Sequence, residues 1–262
     1  MTRVAVSGSG QMGLTVIGAV EAEPDLEVVG VVEAQRPAGE LTGPSGAAYP
    51  MLPDASALFA QTQPDVVVDF TNAAFTATLA AAALEHGVRP VIGTSGVDEN
   101  TLALLRRGLA ERKLGGVVAA NFALGAVMLM HLSRIAAPFF ESAEIIELHH
   151  DRKVDAPSGT ALATARLMRE AREHDFAHNV PSLTHIPGTR GGLEGGIPIH
   201  SVRLPGLVAH QEVIFGGAGQ TLVLRHDSYG RESFMPGVVL AVRAVMAREG
   251  LVEGLDALMG LR

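Results

Sequence analysis

Two histidines, one of the chain's two lysines and a helix start suited to anions fall within a dozen residues, from His149-His150 through Lys153 to Pro157-Ser158-Gly159-Thr160. Each part has a chemical use. An imidazole gains and loses a proton near neutrality, with an unperturbed pKa of about 6.5. Lys153, a firmer cation at about 10.4, can donate a proton or pair with a carboxylate. Ser158 is a natural N-cap, and Gly159 and Thr160 then turn their N–H groups outward, where a carboxylate can sit. Neighbouring residues on a strand face opposite ways, so His149 and His150 are poorly placed to chelate one metal and instead address different parts of a cleft. No metal is expected. The stretch describes a site for a small anionic substrate, bearing nitrogen or oxygen, that needs a proton delivered. Of the 20 basic residues only Lys113 and Lys153 are lysine, so Lys153 invites a chemical reason, although Lys113 on a helix surface shows that lysine can be incidental.

A second constellation lies near the start. Gly8-Ser9-Gly10-Gln11-Met12-Gly13 matches G-x-G-x-x-G, directly after a strand pattern and at the start of a helical one. Gly8 permits the tight turn, Gly10 lets a pyrophosphate approach the backbone, and Gly13 lets the helix pack against the sheet. Phosphates would rest on the helix N-terminus. Glu33, 20 residues after Gly13, stands where a carboxylate grips the ribose hydroxyls of a dinucleotide. It should repel a 2′-phosphate and so favour NADH, while Arg36 could meet that phosphate; NADH is expected to work, with NADPH open.

The elements that must position these residues follow from patterning. Arg3–Ser7, Val28–Glu33, Val66–Phe70, Pro90–Gly93 and Val117–Ala120 read as buried strands. They alternate with helices through about Ala22, over Ala73–His86 and over Thr101–Lys113. That alternation predicts an α/β fold with a Rossmann-type doubly wound parallel sheet. After Asn121 the character changes. A long helix is expected over Phe122–Glu141, a strand over Ala143–His150, a helix over Ser158–His174 and a loop over Asp175–Gly196. Strands then follow at Ile197–Leu204, Val208–Gly216 and Gln220–Asp227. These predict a second α+β domain on an open mixed sheet. A final helix, Ser233–Glu249, is expected to return to the first domain. The expected division is therefore 1–121 plus 229–262 and 122–228, with the site between the two.

Composition narrows the classes. The chain has 262 residues, a net charge of −8 and no cysteine. The first fits two compact domains or one large α/β domain, the second argues against a nucleic-acid partner, and the third excludes disulfides and thiolate chemistry. The apolar run Phe122–Met130 is far short of the roughly 20 residues of a membrane span. With a strand beginning at Arg3 and no leader pattern before it, a soluble cytoplasmic protein is expected.

At Glu147–Ala161 the chain resembles the dihydrodipicolinate reductase (4-hydroxy-tetrahydrodipicolinate reductase) family, whose signature E-x-H-H-x-x-K-x-D-A-P-S-G-T-A is matched there. The resemblance extends over nearly the whole chain, through Asp69-Phe70-Thr71, Gly93-Thr94-Ser95-Gly96, Ala120-Asn121-Phe122, Ile199–Arg203, Gly206–Gly216 and Arg225–Ser228. It implies reduction of a cyclic dicarboxylate, 4-hydroxy-tetrahydrodipicolinate, in the diaminopimelate route to lysine, with NADH or NADPH. It makes His149 the proton donor or acceptor and Lys153 a second proton donor, and places His150, Gly159 and Thr160 at the substrate. It implies cofactor contacts at Gly8, Ser9, Gly10, Gln11, Met12, Gly13, Glu33, Gly93, Thr94, Ser95, Ala119, Ala120, Asn121 and Phe122. It also implies a homotetramer assembled through the sheets of the second domain. Three features depart from the family pattern: the Gly8–Gly13 turn is one residue shorter than the frequent G-x-x-G-x-M-G, with phosphate binding expected to survive; Ala34 stands where a basic residue is frequent, which weakens the case for NADPH; and Ala120 stands where proline is frequent. Two rival readings share the glycine turn. One is another two-domain nicotinamide dehydrogenase acting on amino acids. The other is a dinucleotide-sensing regulator, which would need a binding module that the sequence does not display.

Overall fold

A computed structural model of the chain describes residues 1–178, 181 and 183–261. The first half runs β1 (Thr2–Ser7), α1 (Gln11–Glu21), β2 (Leu26–Val32), β3 (Gly39–Thr42), β4 (Ala48–Leu52), α2 (Ala55–Thr62), β5 (Val66–Asp69), α3 (Ala73–His86), β6 (Arg89–Ile92), α4 (Glu99–Arg112) and β7 (Gly115–Val118). Then come α5 (Leu124–Ala136), β8 (Ser142–His149), α6 (Gly159–Glu170), β9 (Gly192–Glu194), β10 (Ile197–Arg203), β11 (Ala209–Gly217) and β12 (Gln220–Ser228). The chain ends with α7 (Met235–Met246), β13 (Gly250–Glu253) and α8 (Leu255–Leu258). Two units result, Met1–Leu124 with Arg231–Arg262, and Gly125–Gly230.

The first unit is a doubly wound sheet in the order β13-β7-β6-β5-β1-β2-β4-β3. All neighbours pair in parallel except β3 with β4. Its central strands are valine-rich and buried on both faces: Val4, Val6, Val66, Val67 and Val68 are at most 1% exposed. That is the pattern of strands covered by helices on each side. Asp54, Asn72 and Asp98 cap α2, α3 and α4, each accepting the N–H three residues on, which satisfies a donor that the helix itself cannot. The sequence order reverses on either side of β1, with β2 to one side and β5 to the other. In such sheets, ligands bind beyond the carboxyl ends of the strands at this point.

The second unit is a five-stranded mixed sheet, β12-β11-β8-β10-β9, with β8 and β10 parallel and the other pairs antiparallel. Ile145, Ile197, Ile199, Val213 and Phe215 on one face pack with Ala161, Ala165 and Met168 of α6. Along β8 burial alternates, with Ala143, Ile145 and Glu147 buried.

Several elements differ from the sequence reading. The long helix expected over Phe122–Glu141 is shorter, α5 followed by a 3-10 turn at Ala137–Phe139. Pro138 offers no N–H and its ring crowds the preceding turn. The sequence pattern does not reveal β3, β4, β13 or α2: the three strands are four or five residues long and carry Gly39, Pro50 and Gly250, and α2 spans only eight residues. The expected loop over 175–196 contains β9, which pairs with β10; residues 179, 180 and 182 of it lie outside the described residues. Among the described residues no helix is long and apolar enough to cross a membrane.

Candidate active site

In the first unit the residues singled out by sequence follow the carboxyl ends of four parallel strands: Gly8–Gly13 after β1, Glu33 after β2, Gly93–Ser95 after β6 and Ala119–Phe122 after β7. Gly8 has φ +96°, a left-handed conformation that suits glycine. A Cβ on Gly13 would lie 1.9 Å from the Gly8 carbonyl oxygen, so α1 rests directly on the turn, whereas a Cβ on Gly10 would meet nothing within 4 Å. Glycine at position 10 therefore leaves open space over the start of α1, where unpaired N–H groups and the helix dipole favour anions. This cradle fits a dinucleotide pyrophosphate.

Glu33 hangs over the same turn. Its Oε2 accepts the Ser9 N–H at 2.9 Å and the Ser9 hydroxyl at 2.7 Å, and its Oε1 accepts the Gln35 N–H at 3.1 Å. Burial pushes the Glu33 carboxyl up, but the Ser9 hydroxyl, the two N–H donors and the Arg36 charge outweigh it and hold the group below its ordinary range. A carboxylate fixed beside the phosphate cradle fits ribose hydroxyls. On the far side of β1, Thr94 is buried and Ser95 exposed. The Ala119 N–H is bonded to the Ile92 carbonyl at 3.0 Å, Asn121 accepts the Ala123 N–H at 2.9 Å, and Phe122 is 1% exposed.

In the second unit the predicted chemical residues surround a carboxylate that the sequence reading did not single out. Glu147 is 0% exposed. Its Oε2 lies 2.5 Å from His149 Nδ1, and Arg203 grips both its oxygens at 2.9 and 2.7 Å. The Ser158 N–H also points at Oε1, at 3.3 Å. Burial raises the Glu147 carboxyl, but His149 and Arg203 overcome that and bring it to about 2. Arg203 further donates to the Asp155 carbonyl at 2.8 Å, and the Asp155 side chain pairs with Lys153 Nζ at 2.7 Å. Lys153 holds the Asp155 carboxyl below its usual range.

One buried ion pair thus touches His149, the loop carrying Lys153, and the first turn of α6. Ser158 caps that helix through the Ala161 N–H at 3.2 Å. Gly159 is exposed, and a Cβ there would meet nothing within 4 Å. His150 presents a buried Nδ1 with no hydrogen-bond partner among the described residues. Glu147 could have been found from sequence: strand periodicity puts residues two apart on one face, so it shares its side with His149. Arg203 could not, since its meeting with Glu147 depends on the β8–β10 pairing. Among the described residues no three His, Asp or Glu side chains gather as a metal ion would require.

Two family models cover most of the chain: "Dihydrodipicolinate reductase, N-terminus" over residues 2–122 and "Dihydrodipicolinate reductase, C-terminus" over residues 125–259. The chain is 45% identical over 261 residues to the 4-hydroxy-tetrahydrodipicolinate reductase of Geobacillus kaustophilus, covering 98% of each chain. It is 46% identical over 250 residues to that of Bacillus subtilis, covering 94% of this chain and 93% of the other. The solved structure of a dipicolinate-bound dihydrodipicolinate reductase from Paenisporosarcina sp. TG-14 superposes with a TM-score of 0.87 at 41% identity, over 98% of this chain and 99% of that one. An amine dehydrogenase from Mycobacterium smegmatis shares the fold alone, with a TM-score of 0.63 at 14% identity over 97% and 95% of the two chains.

Proposed function

The chain belongs to the dihydrodipicolinate reductase family, and on that premise we propose how its own residues perform the family's reaction. That reaction is the NAD(P)H-dependent reduction of 4-hydroxy-tetrahydrodipicolinate to tetrahydrodipicolinate in diaminopimelate and lysine biosynthesis. The observation that carries the proposal is the Glu147–Arg203 pair, on which His149, the Lys153 loop and the start of α6 all converge.

The bound nicotinamide supplies a hydride. The first unit binds its pyrophosphate on the Gly8–Gly13 turn and its ribose on Glu33, with Gly93–Ser95 and Ala119–Phe122 receiving the rest of the cofactor. In the second unit the Gly159 and Thr160 N–H groups and the Lys153 ammonium hold the substrate carboxylates. His150 adds a ring nitrogen. The Glu147 carboxylate can only accept, so His149 carries hydrogen on Nδ1 and leaves Nε2 to hold or move the proton that completes the reduction. Lys153 is the second donor. Ionisation of Glu147 and fixed N–H dipoles stabilise charge without rearrangement.

The ribose role of Glu33 favours NADH, with NADPH accepted less well. A nicotinamide-dependent biosynthetic step fits a cytoplasmic setting. A homotetramer fits the face of the five-stranded sheet turned away from α6, where Ile146, Leu148 and Ile214 are partly buried and Val223 is 49% exposed. The test is a coupled assay on the pyruvate/aspartate-semialdehyde condensation product, following NADH and NADPH oxidation in parallel. Consumption of either cofactor only when that product is present supports the reading, and none with either cofactor refutes it.

A further inference from the structure

Asp69 ends β5 with its side chain fully buried, and no ion pair reaches it among the described residues. Three hydroxyls serve it instead. Thr71 Oγ1 donates to Oδ1 at 2.7 Å, while Thr76 Oγ1 and Thr94 Oγ1 donate to Oδ2 at 2.5 and 3.0 Å. The Thr94 hydroxyl oxygen also accepts the Thr71 N–H at 2.9 Å. The Asp69 backbone carbonyl takes the Gly93 N–H at 2.8 Å. A buried carboxylate is tolerable only when its oxygens are bonded. Here Oδ1 relies on Thr71 of the loop after β5, while Oδ2 is shared between Thr76 of α3 and Thr94 of the loop after β6, so the one carboxylate is bonded to both loops.

The next two residues extend the link. Phe70 covers Gly93 so closely that a Cβ there would fall 2.0 Å from its ring. The ring also meets Phe122 edge to face at 5.3 Å. A Cβ on Gly8 would lie 3.2 Å from Thr71 Cγ2. Asp69-Phe70-Thr71 therefore touches the phosphate turn and the loops after β6 and β7. In a sheet of this kind the adenosine side of a dinucleotide falls over β2 and the pyrophosphate over the β1 turn. The other half must extend across β5, β6 and β7, onto the loops that Asp69 joins.

We propose that Asp69 is a positioning residue for the nicotinamide half of the cofactor, tying Thr71 and Thr94 into one hydrogen-bonded unit that fixes the loops after β5 and β6. The proposal rests on the dinucleotide reading of the first unit. Its test is equilibrium titration of the whole protein, wild type and Asp69→Asn, with NADH and with ADP-ribose, which lacks the nicotinamide. Asparagine keeps the shape but turns one acceptor into a donor, so whichever way it sits a hydroxyl loses its acceptor. The dissociation constant for NADH should rise about tenfold, the scale of one hydrogen bond to a charged group, while that for ADP-ribose stays within about twofold. Thr71→Val removes a single hydroxyl from the loop surface. It should weaken NADH about threefold and spare ADP-ribose, and it decides the matter alone if Asp69→Asn does not fold. Equal weakening of both ligands, or unchanged NADH affinity in the variants that fold, overturns the role of Asp69. Wild type that binds neither ligand overturns the dinucleotide reading instead.

Discussion

Glu147 and His149 stand two residues apart on β8, and Oε2 of the first lies 2.5 Å from Nδ1 of the second. In the proposed mechanism that contact selects the imidazole nitrogen left for the substrate. Glu147→Gln keeps the volume but offers an amide that can rotate to present a donor to the ring. Turnover is expected to fall about 100-fold, the order of a lost general acid, with NADH affinity unaltered. Steady-state kinetics and an NADH titration measure the two separately, and near-normal turnover would show that His149 does not depend on this partner.

Lys153 and His149 are separable by their variants. Lys153→Ala should cut turnover by about two to three orders of magnitude and leave NADH binding intact, because the lysine belongs to the second unit. His149→Gln should lose much of the rate and change its pH dependence. A pH–rate profile of His149→Gln that matches wild type would reassign the proton to Lys153.

The Glu147 carboxyl also links folding to acid. Its value drops from an ordinary 4.5 to about 2 in the folded protein. A depressed carboxylate contributes stability that is complete above the unfolded value and drains away as pH falls through the folded one. Thermal melts of wild type should therefore lose stability between about pH 4.5 and about pH 2, and Glu147→Gln should show a shallower loss over that window. Parallel curves for the two proteins would contradict the link.

Gly13→Ala places a methyl 1.9 Å from the Gly8 carbonyl oxygen. Neither α1 nor the turn can yield without spoiling the other. Overpacking of this sort costs on the order of 1–3 kcal/mol. The expected outcome is a lower melting temperature together with NADH affinity weakened about tenfold or more. Full NADH affinity in this variant would detach the turn from the cofactor.

Glu33 is expected to set the cofactor ratio. Glu33→Gln removes the negative charge while keeping an acceptor for Ser9. The Michaelis constant for NADPH relative to NADH should drop about tenfold, the effect of removing one repulsion near a phosphate. Measuring both constants on both proteins checks it, and an unchanged ratio would put the selectivity elsewhere, with Arg36 the next residue to change.

What was legible in the sequence was the part governed by local rules. The glycine turn, the valine strands and the Ser158 cap each announce themselves within a few residues, because backbone freedom, burial on two faces and capping are short-range requirements. The His149–Thr160 cluster was visible for the same reason. Arg203 joins Glu147 only through the parallel pairing of β8 with β10, a contact 56 residues apart in the chain. Asp69 gave no sign of its three threonines, of which Thr94 lies 25 residues away. The hairpin of β3 and β4 was hidden by Pro50 and neighbouring glycines, which tertiary pairing overrode.

Helix α1 opens on Gly10, a residue that brings no side chain to the first turn. Its leading amides are left to solvent until an anion arrives, so ligand occupancy and resistance to unfolding rise together. At free cofactor about 100 times its dissociation constant, the native form gains about 2.7 kcal/mol. The expected consequence is an enzyme whose lifetime tracks the reductant it consumes: cells short of reduced nicotinamide would expose more of this chain to proteolysis, and a degradation time course with and without cofactor depletion would reveal it.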